Sequence, residues 1–384
     1  MRASRCARVL LGPLLAVAAG GALSVVPLSG TNAAGALPLP HTVFVSATSS
    51  RACGAPLYTT ISAAVAGVAP RGRVVVCHGS YGEDVVITQP VTIVGSRATV
   101  DPGSATNSPL YGQAGSNAFT IMVPNVTVQG FTVEGASGDG ILTIANHSVI
   151  VGNTALGNGM GPDGGTGIDL NGSSWSTVSA NTSKGNSGGG VYLTDDLGTP
   201  ASHDKVTGND TDDNPGGCGV ILADHSGAGI FDNKIIGNQS DGNGNDPAGS
   251  GAGVVLASPV PGGAVYDNTI EANTISGNGL AGVTLHSHLP GQGNFSGNVV
   301  EGNDIGTNNL GGSGSEAGGD DGDPVTSGIY VGSVDPLSIT VKDNIIHNDQ
   351  DGIFAAGAVV VKKPSLNLFH AVPTPFVSTP AYAG

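Results

Sequence analysis

Acidic residues recur in successive sequence repeats: Asp195 and Asp196 just beyond one strand, Asp224 followed by His225 just beyond the next, and Asp169 one repeat earlier. If the repeats stack as coils, equivalent side chains lie ~5 Å apart on neighbouring coils and ~10 Å apart on alternate coils. Those separations bracket the carboxylate spacings used by retaining and inverting glycoside hydrolysis. Asp169, Asp195, Asp196 and Asp224 are therefore the candidate catalytic residues. Acidic residues at turn corners also occur for structural reasons alone, because they bond the local backbone.

Aromatic side chains offer a second chemistry. Tyr192, Tyr330 and Phe354 each occupy the middle of a Gly–apolar–x–apolar tetrapeptide. The flanking apolar pair would face a core and the middle residue would face out, where an aromatic ring can stack on a sugar. With His225 beside them, these residues are the candidate ligand-binding set. A third chemistry is oxygen ligation. The loops 241–246 (DGNGND) and 316–323 (EAGGDDGD) supply Asp241, Asp246, Asp320, Asp321 and Asp323, hard donors of the kind Ca2+ takes. Neither loop follows the EF-hand pattern, since Ala252 stands where the first would need its twelfth-position glutamate. The fold itself requires no cofactor.

The elements that must position these residues are short and repeated. The tetrapeptide opens at Gly167, Gly190, Gly219, Gly253, Gly282 and Gly328, with looser copies at Gly140 and Gly352. The shortest intervals are 23 residues (167 to 190) and 24 residues (328 to 352), which suits a coil of three short strands and three turns. Paired asparagines follow: Asn153/Asn158, Asn181/Asn186, Asn209/Asn214, Asn233/Asn238, Asn273/Asn278 and Asn303/Asn308, with Asn344 and Asp349 last. Asparagine tolerates left-handed turns, and stacked identical turns let its amides form ladders. Such thin repeats bury an apolar face only by stacking. About ten coils at ~4.8 Å would make a rod roughly 50 Å long. The middle positions line up as one outward column: Leu142, Asp169, Tyr192, Ile221, Val255, Thr284, Tyr330 and Phe354. Insertions that could cover it or build a site fall at 159–166, 239–252 and 309–327, and at 194–205, 257–264 and 286–297.

Ahead of the repeats, residues 58–69 place Ile61, Val65 and Val68 on one helical face, with Thr59 or Thr60 able to cap it. Three β-branched runs follow, and a helix there would plug the open end of the first coil. This segment, TTISAAVAGVAPRGRVVVCHGSYGEDVVITQPVTIVG (59–95), resembles the N-terminal cap and first coil of secreted right-handed β-helix proteins, among them pectate lyases, pectin methylesterases and bacterial β-helix repeat proteins. The stretch 125–135, NVTVQGFTVEG, looks like the early-coil pattern of the same group. The resemblance implies an all-β, single-stranded right-handed parallel β-helix of the pectin-lyase-like kind with a capping helix. It carries no particular activity. Residues 163–169, DGGTGID, resemble the first polygalacturonase motif, but Gly188-Gly189 replaces an expected aspartate, and neither a Gly-His-Gly nor an Arg-x-Lys motif occurs. No arginine lies beyond Arg97 to act as a pectate-lyase base, and the methylesterase and epimerase motifs are missing.

Arg2, Arg5 and Arg8 ahead of an apolar run and small residues near 33–36 form the grammar of a secretory signal peptide. The expected organisation is a signal peptide over 1–36, one β-helix domain over 37–363 (cap about 55–95, repeats about 98–361) and a loose Pro-containing tail over 364–384. The expected location is outside the cell, with no integral membrane segment left after cleavage. An oxidising compartment favours a Cys53–Cys77 disulfide and leaves Cys218 as a buried lone thiol. With 29 acidic against 13 basic residues the chain carries −16, and between Glu134 and Asp351 only Lys184, Lys205, Lys234 and Lys342 are basic. That excludes nucleic acid as a partner and disfavours anionic lipid and polyuronate. The sequence thus points to a monomeric extracellular β-helix that recognises a neutral or cation-bridged polysaccharide. A polysaccharide hydrolase or lyase and a ligand-free surface rod are the alternatives.

Overall fold

Each tetrapeptide strand pairs in parallel, and in register, with its counterpart one repeat on. In the computed structural model Ile168 lies opposite Val191, and Val191 opposite Val220. The same row continues through Val254, Val283, Ile329 and Ile353. Leu170, Leu193, Leu222, Leu256, Leu285 and Val331 form the second inward row, and both rows are essentially inaccessible. Each such side chain contributes ~1.5–3 kcal/mol of burial, available only because the next coil supplies the other wall. The structure describes residues 38–48, 53, 58–103, 116–161, 164–245, 251–287, 290–291, 293–311 and 325–380. The signal-peptide reading lies outside them. No helix among them is long and apolar enough to cross a membrane.

The coils are parallel throughout, with two further strand columns completing each turn. One runs through Val149–Val151, Thr177–Ser179, Lys205–Thr207, Lys234–Ile236 and Thr269–Glu271. The other runs through Thr154–Leu156 and Thr182–Lys184 and resumes at Gln239–Asp241 and Thr274–Ser276. Glycine opens the first column because adjacent coils touch there: a Cβ on Gly190 would sit 2.5 Å from the Gly219 carbonyl oxygen. The capping helix is Ile61–Gly67, with Thr60 Oγ1 accepting from the Ala63 amide and the Glu83 carboxylate accepting from those of Ile61 and Ser62. It buries Ile61, Ala64 and Val65 against the first coils.

Asparagine ladders clamp the turns, but their register differs from the pairing read in the sequence. One ladder runs Asn153, Asn181, Asn209, Asn238, Asn273, Asn303, Asn344, Asn367, each Oδ1 accepting the amide and the Nδ2–H of the rung before it. The second runs from Asn158 through Asn186, Asn214, Asn243, Asn278 and Asn308 to Asp349. Asn233 therefore does not pair with Asn238 as first and second rung. It belongs to a third ladder, Ser148, Ser176, Asp204, Asn233, Asn268, Asn298. Asparagines five apart in three successive turns make the two assignments indistinguishable by spacing. Nor is the asparagine itself the left-handed residue. Positive φ falls one residue earlier, at Gly152, Ala180 and Gly208 for example, and the asparagine that follows sends its amide to the next coil.

Two other expectations change. Residues 364–380 are not a loose tail: Leu368–His370 and Thr374–Thr379 pair with Ile345–His347 and Asp351–Lys362 and build a further coil. The Cys53–Cys77 disulfide is present. Cys218 is buried and is not a free thiol, since no described cysteine is free.

Candidate functional site

The outward column exists in the predicted register. Leu142, Asp169, Tyr192, Ile221, Val255, Thr284, Tyr330 and Phe354 lie opposite one another, coil by coil. Most of it is nevertheless covered. Ile221 and Val255 pack with Cys218, Ala223, Ala252, Ala257 and Leu280 into a small outer core, against which Tyr192 rests. Tyr330 is 1% exposed and Phe354 8%; their rings stack on each other at 5.8 Å with Ala281, Ala356 and Val377 around them. Neither can serve as an open sugar platform, and both sit far along the stack from the acidic cluster.

What the fold does bring together is Asp139, Asp169, Tyr192, Asp196 and His225. Strand alternation sorts the adjacent pairs. In Asp195-Asp196 and Asp224-His225 the first residue turns inward and is fully buried, while the second faces the column. Asp195 is a loop staple: its carboxylate accepts from the amides of His225, Ser226, Ala228 and Gly229 and from Ser226 Oγ, at 2.7–3.2 Å. Burial pushes its pKa up, yet these hydrogen bonds outweigh burial and hold it below the ordinary value. Asp224 accepts from the amides of Gly227 (2.6 Å) and Ala264 (2.7 Å); burial first, and the neighbouring Asp195 charge, push it up to about 6. These two predicted catalytic carboxylates are spent on turn construction.

The outer members form a hydrogen-bonded chain. His225 Nδ1 is 2.7 Å from Asp196 Oδ1, and His225 Nε2 is 3.2 Å from Tyr192 Oη. A proton on Nδ1 donated to Asp196 leaves Nε2 to accept from the phenol. Burial lowers the His225 pKa, but the Asp196 hydrogen bond and the charges of Asp196, Asp195 and Asp224 reverse this and raise it. Burial and the Asp196, Asp169 and Asp195 charges hold the Tyr192 phenol protonated well above its usual range. Asp196 is also tethered by Asn171, whose Nδ2 donates to Oδ2 at 3.4 Å.

Asp169 lies beside this chain, in register with Tyr192, and is 93% buried given its 7% exposure. Its Oδ1 has no hydrogen-bond partner. Burial, then the charges of Asp139 and Asp196, raise its pKa well above the usual carboxylate range. Asp139 accepts from the Thr166 amide and hydroxyl at 2.7 and 3.2 Å, and burial pushes it up to about 6. Sequence reasoning missed Asp139; its place immediately before Gly140 in the loosest repeat was the available signal. It also missed an aromatic edge on another wall, where Trp175 stacks on His203 at 4.2 Å and Phe231 on Tyr266 at 4.9 Å. Those ring faces are turned on one another and staple the coils.

Of the five candidate metal-binding residues, only Asp241 lies among the described residues. Asp241 Oδ1 accepts from Ser276 Oγ at 3.0 Å, and its amide donates to Asp212. Asp246, Asp320, Asp321 and Asp323 lie outside the described residues.

A profile of the family described as "Periplasmic copper-binding protein (NosD)" matches residues 72–251, somewhat under half of the chain. No curated protein matches the sequence. Among solved structures, the Streptococcus pneumoniae surface protein and adhesin PfbA is similar at 17% identity, over 83% of this chain and 93% of that one, with a TM-score of 0.54. An alginate lyase from Paenibacillus sp. strain FPU-7 is similar at 15% identity, over 81% and 94%, with a TM-score of 0.53. The described residues do not fit a copper centre: no three His, Cys, Asp or Glu side chains among them are arranged so that they could hold a metal ion, and their cysteines are not free. At these identities the likeness is one of fold, and it agrees with the stacked parallel strands. The chain is a right-handed parallel β-helix.

Proposed function

We propose that this protein acts outside the cytoplasm on a polysaccharide, and that it cleaves the chain by acid–base chemistry at Tyr192, His225 and Asp196. The observation that carries this is the Asp196–His225–Tyr192 hydrogen-bonded chain beside the buried Asp169. Asp196 orients the imidazole and stabilises its charged form, and His225 exchanges a proton with Tyr192 across 3.2 Å. Tyr192 can hand a proton to a leaving oxygen while His225 takes one from attacking water, and their hydrogen bond then restores both groups. Among the described residues no lysine or arginine side chain is a partner of this cluster, which disfavours uronate elimination, where a substrate carboxylate must be neutralised.

The test is release of reducing ends from a panel of neutral, amino and uronic polysaccharides. His225→Gln is expected to lower turnover ~10²–10⁴-fold, the usual worth of a positioned proton-transfer group, with binding changed much less. Turnover surviving in His225→Gln and Asp196→Asn would remove the assignment. Recognition without cleavage is the second reading, favoured by the loss of Asp195 and Asp224 to loop construction. Binding of a glycan with no reducing ends released from it would select that reading.

A further inference from the structure

We infer that the site is built for a glycan unit bearing a protonated amine, an amino sugar, whose ammonium group is received by Asp169. The inference rests on the proposed action on polysaccharide and narrows its substrate class. Three observations converge. First, Asp169 occupies an outward position of its strand, flanked by the core-facing Ile168 and Leu170, so its carboxyl points toward the column that holds Tyr192. It is 93% buried by its 7% exposure, and Oδ1 has no partner among the described residues. Leaving a buried polar atom of this kind unsatisfied is costly unless a ligand donor reaches it.

Second, the charges around it have one sign. Asp139 and Asp196 both act on Asp169, and Asp196 and Asp195 act on Tyr192 next to it. Against these stands one imidazole, His225, already paired with Asp196. Third, the cations of this part of the chain are engaged or placed elsewhere. Lys184 pairs with Asp210 and Asp212, and Lys342 with Glu301 and Asp343. Lys205 and Lys234 lie on a different strand column. An ammonium group supplies both the missing hydrogen-bond donor at Oδ1 and the missing positive charge. A hydroxyl supplies only the first, and a carboxylate neither.

The measurement is calorimetric titration of the whole protein with hexamers of glucosamine, N-acetylglucosamine, glucose and galacturonate at matched ionic strength. The expected result is at least tenfold tighter binding of the glucosamine hexamer than of the other three, with Asp169→Asn removing that preference. Asp232→Asn, an exposed carboxylate elsewhere on the surface, is the control for diffuse attraction to an acidic protein. Equal affinity for the N-acetylated or neutral hexamer overturns the inference and leaves the polysaccharide reading standing. So does a preference that survives in Asp169→Asn, or that falls as far in Asp232→Asn. Failure of every hexamer to bind overturns both. Should Asp169→Asn not fold, Asp139→Asn tests the same charge, and an unchanged preference there counts against the inference.

Discussion

Asn181→Ala is expected to destabilise the protein by roughly 3–5 kcal/mol, because it breaks several buried hydrogen bonds at once. Asn181 is 2% exposed, and its Oδ1 accepts from both the amide and the Nδ2–H of Asn153, at 2.8 and 3.1 Å. Its Nδ2 donates to the Ile150 carbonyl and to Asn209 Oδ1, both at 3.0 Å. Alanine leaves the buried Asn153 amide without its acceptor, takes one of the donors from the Ile150 carbonyl and breaks the link to Asn209, and the orphaned amide carries its own desolvation cost. Because each coil touches only its neighbours, the damage sits in the middle of a one-dimensional stack. Asn146→Ala is the comparison: its Oδ1 accepts one bond, from the Ser174 amide, at an exposed turn where water can replace it. That change is expected to cost ~0.5 kcal/mol or less. Urea unfolding followed by far-ultraviolet circular dichroism measures both, and equal losses would mean that the ladder bonds carry no special weight.

The coil was legible because its physics is periodic. Glycine wherever two backbones touch and apolar residues on either side of the middle strand position are local demands, and Gly167, Ile168 and Leu170 answer them in sequence. The outward register from Leu142 to Phe354 followed for the same reason. Less legible was which asparagine stacks on which. Asn233 and Asn238 satisfy the same local turn, and only the neighbouring coil, through Asn268 and Asn273, decides the rung. Solvent access was not legible at all. Tyr330 and Tyr192 hold the same strand position, yet one is sealed by Phe354 and Ala281 while the other reaches His225. The fate of the aspartates lay between these cases. Strand alternation separates Asp195 from Asp196, but that Asp195 would gather four backbone amides depends on the path of 225–229, which no spacing rule gives.

Asp204→Asn is expected to stabilise the protein at neutral pH by ~1–3 kcal/mol, the cost of one unsatisfied buried polar group. Asp204 is a rung of the third ladder in which the asparagine rungs carry an amide. It is fully buried, and Oδ1 accepts from the Ser176 amide at 2.6 Å, while Oδ2 has no partner. Burial raises its pKa well above the carboxylate range, against the opposing Ser176 hydrogen bond. The direction with pH follows. The unfolded chain releases this proton near ~3.9 while the folded chain keeps it. Folding therefore binds a proton, and the contribution of Asp204 to stability falls as pH rises above about 4 until the folded pKa is passed. Asparagine does not titrate, and its Nδ2–H can bond Asn233 Oδ1 as the asparagine rungs bond theirs. The stability gap between variant and wild type should accordingly be small near pH 4 and widen toward pH 7. Thermal or urea midpoints across that range measure it, and a variant less stable than wild type at pH 7, or a gap constant with pH, would show that the Asp204 carboxyl is satisfied by something other than its own proton.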